Sequence, residues 1–119
     1  MVQTLKDVLG ENATTTGTTI TIDLADLNPL LGDKGLDDIA TASDIAKVAT
    51  LIAGIASNTL VRTDAAGTEF DVPDNAIVSR PSFSPKNFVN RGGEDQIEHQ
   101  FQISVYTDDT SDFDPDNTI

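Results

Sequence analysis

The chain has 119 residues, with 20 acidic against 7 basic side chains, a formal charge of −13 and no cysteine. That length suits a single domain, 1–119, and the negative charge repels phosphate backbones and anionic lipid heads, which argues against nucleic acid and membrane partners. Without cysteine there is no disulfide framework, no thiolate nucleophile and no cysteine-based zinc site.

Residues 1–17 are expected to form a short N-terminal helix or arm followed by a loop. Leu5, Val8 and Leu9 stand at helical spacing, with Thr4 placed to cap the start and Gly10 to stop the end. So short a helix does not survive alone in water, so it must pack on the body or on a partner. Residues 1–10 have neither the basic start nor the long apolar run of a signal peptide. The most apolar stretch, 46–56, is interrupted by Lys47, Thr50 and Gly54 and is too short to span a bilayer, so a soluble chain is expected.

Residues 11–17 read as a loop and 18–24 as a half-buried strand, with Ile20, Ile22 and Leu24 on one side and Thr19, Thr21 and Asp23 on the other. Asn28-Pro29 and Gly32-Asp33-Lys34-Gly35 are turn signals that break up Leu27, Leu30 and Leu31, leucines expected to cover one edge of the core. The one extended helical pattern runs from Asp44 to Asn58. Ser43 is its expected N-cap, and Ile45, Val48, Ile52 and Ile55 form its apolar stripe, widened by Leu51. Gly54 in this helix would permit another backbone to come close.

Ala65-Ala66-Gly67 turns the chain, and residues 69–72 make a short strand. Another turn at 72–75 leads into an extended segment over 77–89. Within residues 80–91, Pro81 and Pro85 forbid regular central-strand pairing. The same stretch gathers Arg80, Phe83, Lys86, Phe88 and Arg91. Aromatic and arginine side chains are enriched at interface centres, so these five are the candidate partner-binding residues, the phenylalanines as anchors and the cations for register. The alternative is that Phe83 and Phe88 close the core beneath a loop.

Arg91-Gly92-Gly93 turns into residues 96–106, Q-I-E-H-Q-F-Q-I-S-V-Y, where Ile97, His99, Phe101, Ile103 and Val105 share one parity. That alternation predicts a single long strand with one buried face, and it places His99 as a packed sheet residue rather than a catalyst. Residues 107–119 form an acidic tail in which Asp112, Asp114 and Asp116 have the opening spacing of a calcium loop. Asn117, however, stands where that loop needs glycine, so no metal site is expected. No nucleophile elbow and no phosphate-binding loop is present, so neither enzymatic activity nor a cofactor is expected.

The expected fold is α+β: a small antiparallel β-sheet covered by one main helix, with extended terminal arms. The opening T-L-K-D-V-L-G-E-N-A-T-T-T-G-T-T-I-T-I-D-L-A-D-L and the Q-I-E-H-Q-F-Q-I-S-V-Y segment resemble small accessory proteins of tailed-phage particles, in particular those of cyanobacterial phages. The resemblance implies a structural virion protein, most naturally a capsid cement or decoration protein that stabilises the coat lattice, or else a tail component. It further implies coat or tail subunits as partners, homo-oligomers, and a place in the virion after assembly in the host cytoplasm. A soluble extracellular or surface binding module stabilised by calcium, and an enzyme with convergent carboxylates, stay open as alternatives.

Overall fold

The computed structural model describes residues 2–70, 76–81, 86–108 and 112–118. The chain is α+β, with short helices and small antiparallel ladders. Helix α1, Leu5–Leu9, begins in a capping box: the Thr4 hydroxyl accepts from the Asp7 amide, and the Asp7 carboxylate accepts from the Thr4 amide. Gly10 ends it. The helix packs on the body, where Val8, Leu9 and Ala13 form a small core cluster joined by Leu5, Ile22, Leu51, Ile55 and Ile77. Residues ahead of it are tied down as well. The Gln3 side-chain amide donates to the Ile77 carbonyl at 2.7 Å and accepts from the Ile77 amide at 2.9 Å, standing in for a neighbouring strand.

The triple threonine expected to be loop forms strand β1, Thr14–Thr16, paired with β2, Thr19–Thr21, across a tight turn at Gly17-Thr18. Three β-branched residues in a row favour the pleated backbone, and only three residues at each end are needed to close so short a hairpin. Leu27 is the best-buried large side chain, 0% exposed, lying between two 3-10 turns at Leu24–Asp26 and Asn28–Lys34. Asn28 clamps the end of this segment, donating to the Leu36 carbonyl at 3.0 Å and accepting from its amide at 2.6 Å.

Helix α2, Asp44–Asn58, has the predicted limits, with the Ser43 hydroxyl accepting from the Ala46 amide at 3.1 Å. Its buried face differs from the expected one. Thr50 and Gly54 are buried, whereas Ile45 is 77% exposed and Val48 and Ile52 are exposed with it. The reason is steric. A Cβ at Gly54 would lie 2.7 Å from the Leu27 Cβ, so only the small-residue side of the helix lets Leu27 seat against the backbone. The Thr50 hydroxyl is satisfied by the Ala46 carbonyl one turn back, at 2.9 Å, which makes its burial tolerable.

Beyond α2, strand β3, Arg62–Thr63, pairs with β4, Glu69–Phe70, around a turn held by the Asp64 carboxylate, which accepts from Ala66 and Thr68 at 2.9 Å each. Residues 71 and 72 of the strand predicted there lie outside the described residues. Strand β5, Ile77–Arg80, pairs antiparallel with β8, Gln102–Val105. On its other side it makes a parallel bridge at Ser79 with Leu60, with hydrogen bonds to Thr59 and Val61. Val78 and Ser79 are 1% and 2% exposed, and the Ser79 hydroxyl donates to the Ala56 carbonyl of α2.

The single long strand predicted over 96–106 is two strands. Strand β7, Glu94–His99, pairs with β6, Lys86–Arg91, while β8 pairs with β5. The opposing chain forces the break: five residues, 81–85, separate β5 from β6, whereas two, 100–101, separate β7 from β8. Unequal lengths cannot keep one ladder in register, so the two pairings form separate ladders. Likewise, the single sheet expected is replaced, among the described residues, by separate two-stranded ladders. The acidic tail closes on itself. Thr107 bridges Thr118, the Asp108 amide donates to the Asn117 carbonyl at 2.8 Å, and Asp114 caps a 3-10 turn over Pro115–Asn117.

Candidate functional site

The five candidate residues separate into three groups. Phe83 lies outside the described residues. Arg80, on β5, is engaged within the chain: its guanidinium meets the Glu69 carboxylate with two parallel bonds of 2.6 and 3.1 Å. It also donates to the Ser104 hydroxyl at 3.2 Å and the Tyr106 hydroxyl at 2.7 Å. This fork joins β4, β5 and the end of β8. The hydrogen bond from Arg80 holds the Glu69 carboxyl below its ordinary value, and the bonds from Glu69 and Tyr106 push the guanidinium further up.

Lys86, Phe88 and Arg91 lie on β6, in a hairpin with β7 turned by Gly92-Gly93. Both glycines have positive φ, 61° and 85°, as a two-residue hairpin loop of the primed type requires. Neither strand makes more than marginal contact with any other element, so the hairpin stands away from the body. Phe88 is 84% exposed and does not close the core. It faces Ile97 across the ladder, between the pairs Lys86–His99 and Asn90–Asp95, while Glu94 and Glu98 belong to the opposite face. His99, expected to be packed, is exposed, because among the described residues no other element packs closely on β7.

Sequence reasoning missed a second feature, an open groove of about 570 Å³. Its walls come from α1 (Leu5, Val8, Leu9), β2 (Ile20), α2 (Ile55) and the β5–β8 ladder (Ile77, Ile103, Val105), with Gln3, Thr4, Ala76 and Thr118 also in the lining. Among the described residues no charged side chain lines it, although charged residues make up 23% of the chain. The alternation of β8 pointed to these apolar groups. That no other described segment covers them could be read only once the chain was folded. A smaller hollow of about 250 Å³ lies at the root of the hairpin, between Leu31, Leu60 and Phe101.

The whole surface is large for the mass. The accessible area is 8701 Å² and the radius of gyration 16.2 Å, against about 6200 Å² and about 13.5 Å for a compact monomer of this size. Among the described residues no group of three or more acidic or histidine side chains could hold a metal ion, and Asp114 is occupied as a cap. Among the same residues no helix is long and apolar enough to cross a membrane. No protein-family model, curated protein or solved structure matches the chain.

Proposed function

We propose that the chain is a structural, non-catalytic protein of a tailed-phage particle, a cement or decoration protein that closes joints in a coat lattice. The observation that supports this reading is the surplus surface: about 2500 Å² more than a compact chain of 12.6 kDa exposes, with Ile45, Val48, Ile52 and Phe88 among the exposed apolar side chains. A free soluble monomer rarely leaves large contiguous apolar faces in water, and such faces mark protein contacts. The uncovered stripe Ile45, Val48 and Ile52 on α2, together with the projecting hairpin carrying Lys86, Phe88 and Arg91, supplies those contacts. In this reading α2 covers a sheet that becomes continuous only in the assembly, where the β5–β8 ladder gains neighbours. The virion setting rests on the resemblance of residues 4–27 and 96–106 to phage accessory proteins.

The test is antibody-labelled electron microscopy, with mass spectrometry, of tailed particles purified from the cells that encode the chain. Stoichiometric label on heads or tails supports the reading. Intact particles that lack the protein, with all of it in the soluble fraction, would refute it.

A further inference from the structure

The groove and the hairpin fit each other, and we infer that the occupant of the groove is the Phe88–Ile97 face of the β6–β7 hairpin from a second copy of this chain. The inference rests on the structural reading above and specifies one of its contacts.

Three observations carry it. The first is area. A standard interface buries about 800 Å² on each partner. A copy that gives one hairpin and receives another covers about 1600 Å², within the surplus of about 2500 Å² and leaving the α2 stripe for a different subunit. The second is charge. Two chains of −13 repel, so they can meet closely only where carboxylates are absent. The groove lining, among the described residues, has no charged side chain. The Phe88 face has a single carboxylate, Asp95, bonded to Asn90 at 3.1 Å, while Glu94 and Glu98 fall on the other side. The third is stability. An isolated two-stranded hairpin is marginal in water, and among the described residues this one has at most marginal support from its own body. Seating Phe88 and Ile97 against Ile20, Ile103 and Val105 would supply the missing apolar layer. A hairpin exchanged between two copies closes as a pair; passed in one direction it makes a ring or filament.

The experiment is the solution mass of the full chain by light scattering, for the wild type, Phe88→Ser and Ile20→Asp, with circular dichroism to confirm that each variant keeps its helices. Both positions are exposed, so neither change should unfold the chain. The wild type should have a multiple of 12.6 kDa, and each variant alone should be a monomer. Mixed together, one with an intact groove and the other with an intact hairpin, they should form a one-to-one dimer. Because the contact is apolar and the charges repel, wild-type assembly should strengthen as ionic strength rises from about 0.01 to 0.15 M and the Debye length falls from about 30 to 8 Å. Since the chain has no cysteine, Phe88→Cys and Ile20→Cys chains mixed under oxidation should cross-link to each other. A wild type that stays monomeric at both salt concentrations overturns the inference, as does a Phe88→Ser chain of unchanged oligomeric mass. In either case label on the particles would still uphold the structural reading, so the two fail separately.

Discussion

Replacing Gly54 by alanine should destabilise the protein even though alanine is the better helix former. In an exposed helix interior the change gains about 1 kcal/mol. Here the added Cβ would lie 2.7 Å from the Leu27 Cβ and 3.2 Å from its Cγ and Cδ2. Carbon atoms prefer about 3.5–4.0 Å, so the overlap at the nearest atom is about 1 Å. Leu27 is 0% exposed, and its Cβ is fixed to a backbone held between two 3-10 turns, so it has little room to retreat. Overpacking of this kind costs about 1–3 kcal/mol, which leaves a net loss of about 1 kcal/mol after the helix gain. Leu27→Gly removes the clashing Cβ together with the Cγ and Cδ atoms, at a cost of at least about 2–5 kcal/mol. In that background Gly54→Ala should become neutral or stabilising, a coupling of about 1–2 kcal/mol between the two positions. Urea unfolding of the four chains, followed by circular dichroism at one protein concentration, measures the cycle. If Gly54→Ala stabilises the otherwise wild-type chain by the full helix gain, or if the two changes are additive, the close-approach argument is wrong.

Other expectations concern the ties between elements. Ser79→Ala removes the bond to the Ala56 carbonyl and should cost about 1 kcal/mol, seen as a lower urea midpoint with unchanged slope. Gln3→Ala strips both partners from the Ile77 backbone; a loss of about 1–3 kcal/mol is expected, with faster hydrogen exchange at the Ile77 amide, and unchanged exchange would refute the role of Gln3. Glu69 has a folded pKa lowered by Arg80, so the stability from this pair is fully present above the ordinary value of 4.5 and is lost as pH falls through the lowered one. Glu69→Gln should therefore be less stable than the wild type at neutral pH, with the gap closing in acid. A gap that persists at the lowest pH would point to packing rather than charge.

How much could be read beforehand differs from element to element. The limits of α2 were legible because Ser43 caps it locally and no other segment is needed to define its start. Thr4, Asp7 and Gly10 delimit α1 in the same way, and Gly92-Gly93 sets the β6–β7 turn. Alternation in residues 96–106 correctly indicated extended backbone, but not its division. The division depends on how many residues the opposing strand places between β5 and β6, a relation between distant segments. Phe88 and Arg80 fell in one candidate group because they are close in sequence, yet one projects on the hairpin and the other is bonded into the body.

By itself, then, the sequence determined what short-range forces decide: capped helices, glycine turns, β-branched strands, and an acidic surface without thiol chemistry. Only the tertiary structure decided which faces of those elements are covered. Helix α2 turns its small-residue side inward because Leu27 needs the space at Gly54, and Ile45 and Ile52 are left outside. The apolar side chains of β8 line a groove because no other described segment of the chain covers them. Periodicity marks a face as apolar whether the group that covers it belongs to the same chain or to another, and only the packed coordinates separate the two cases.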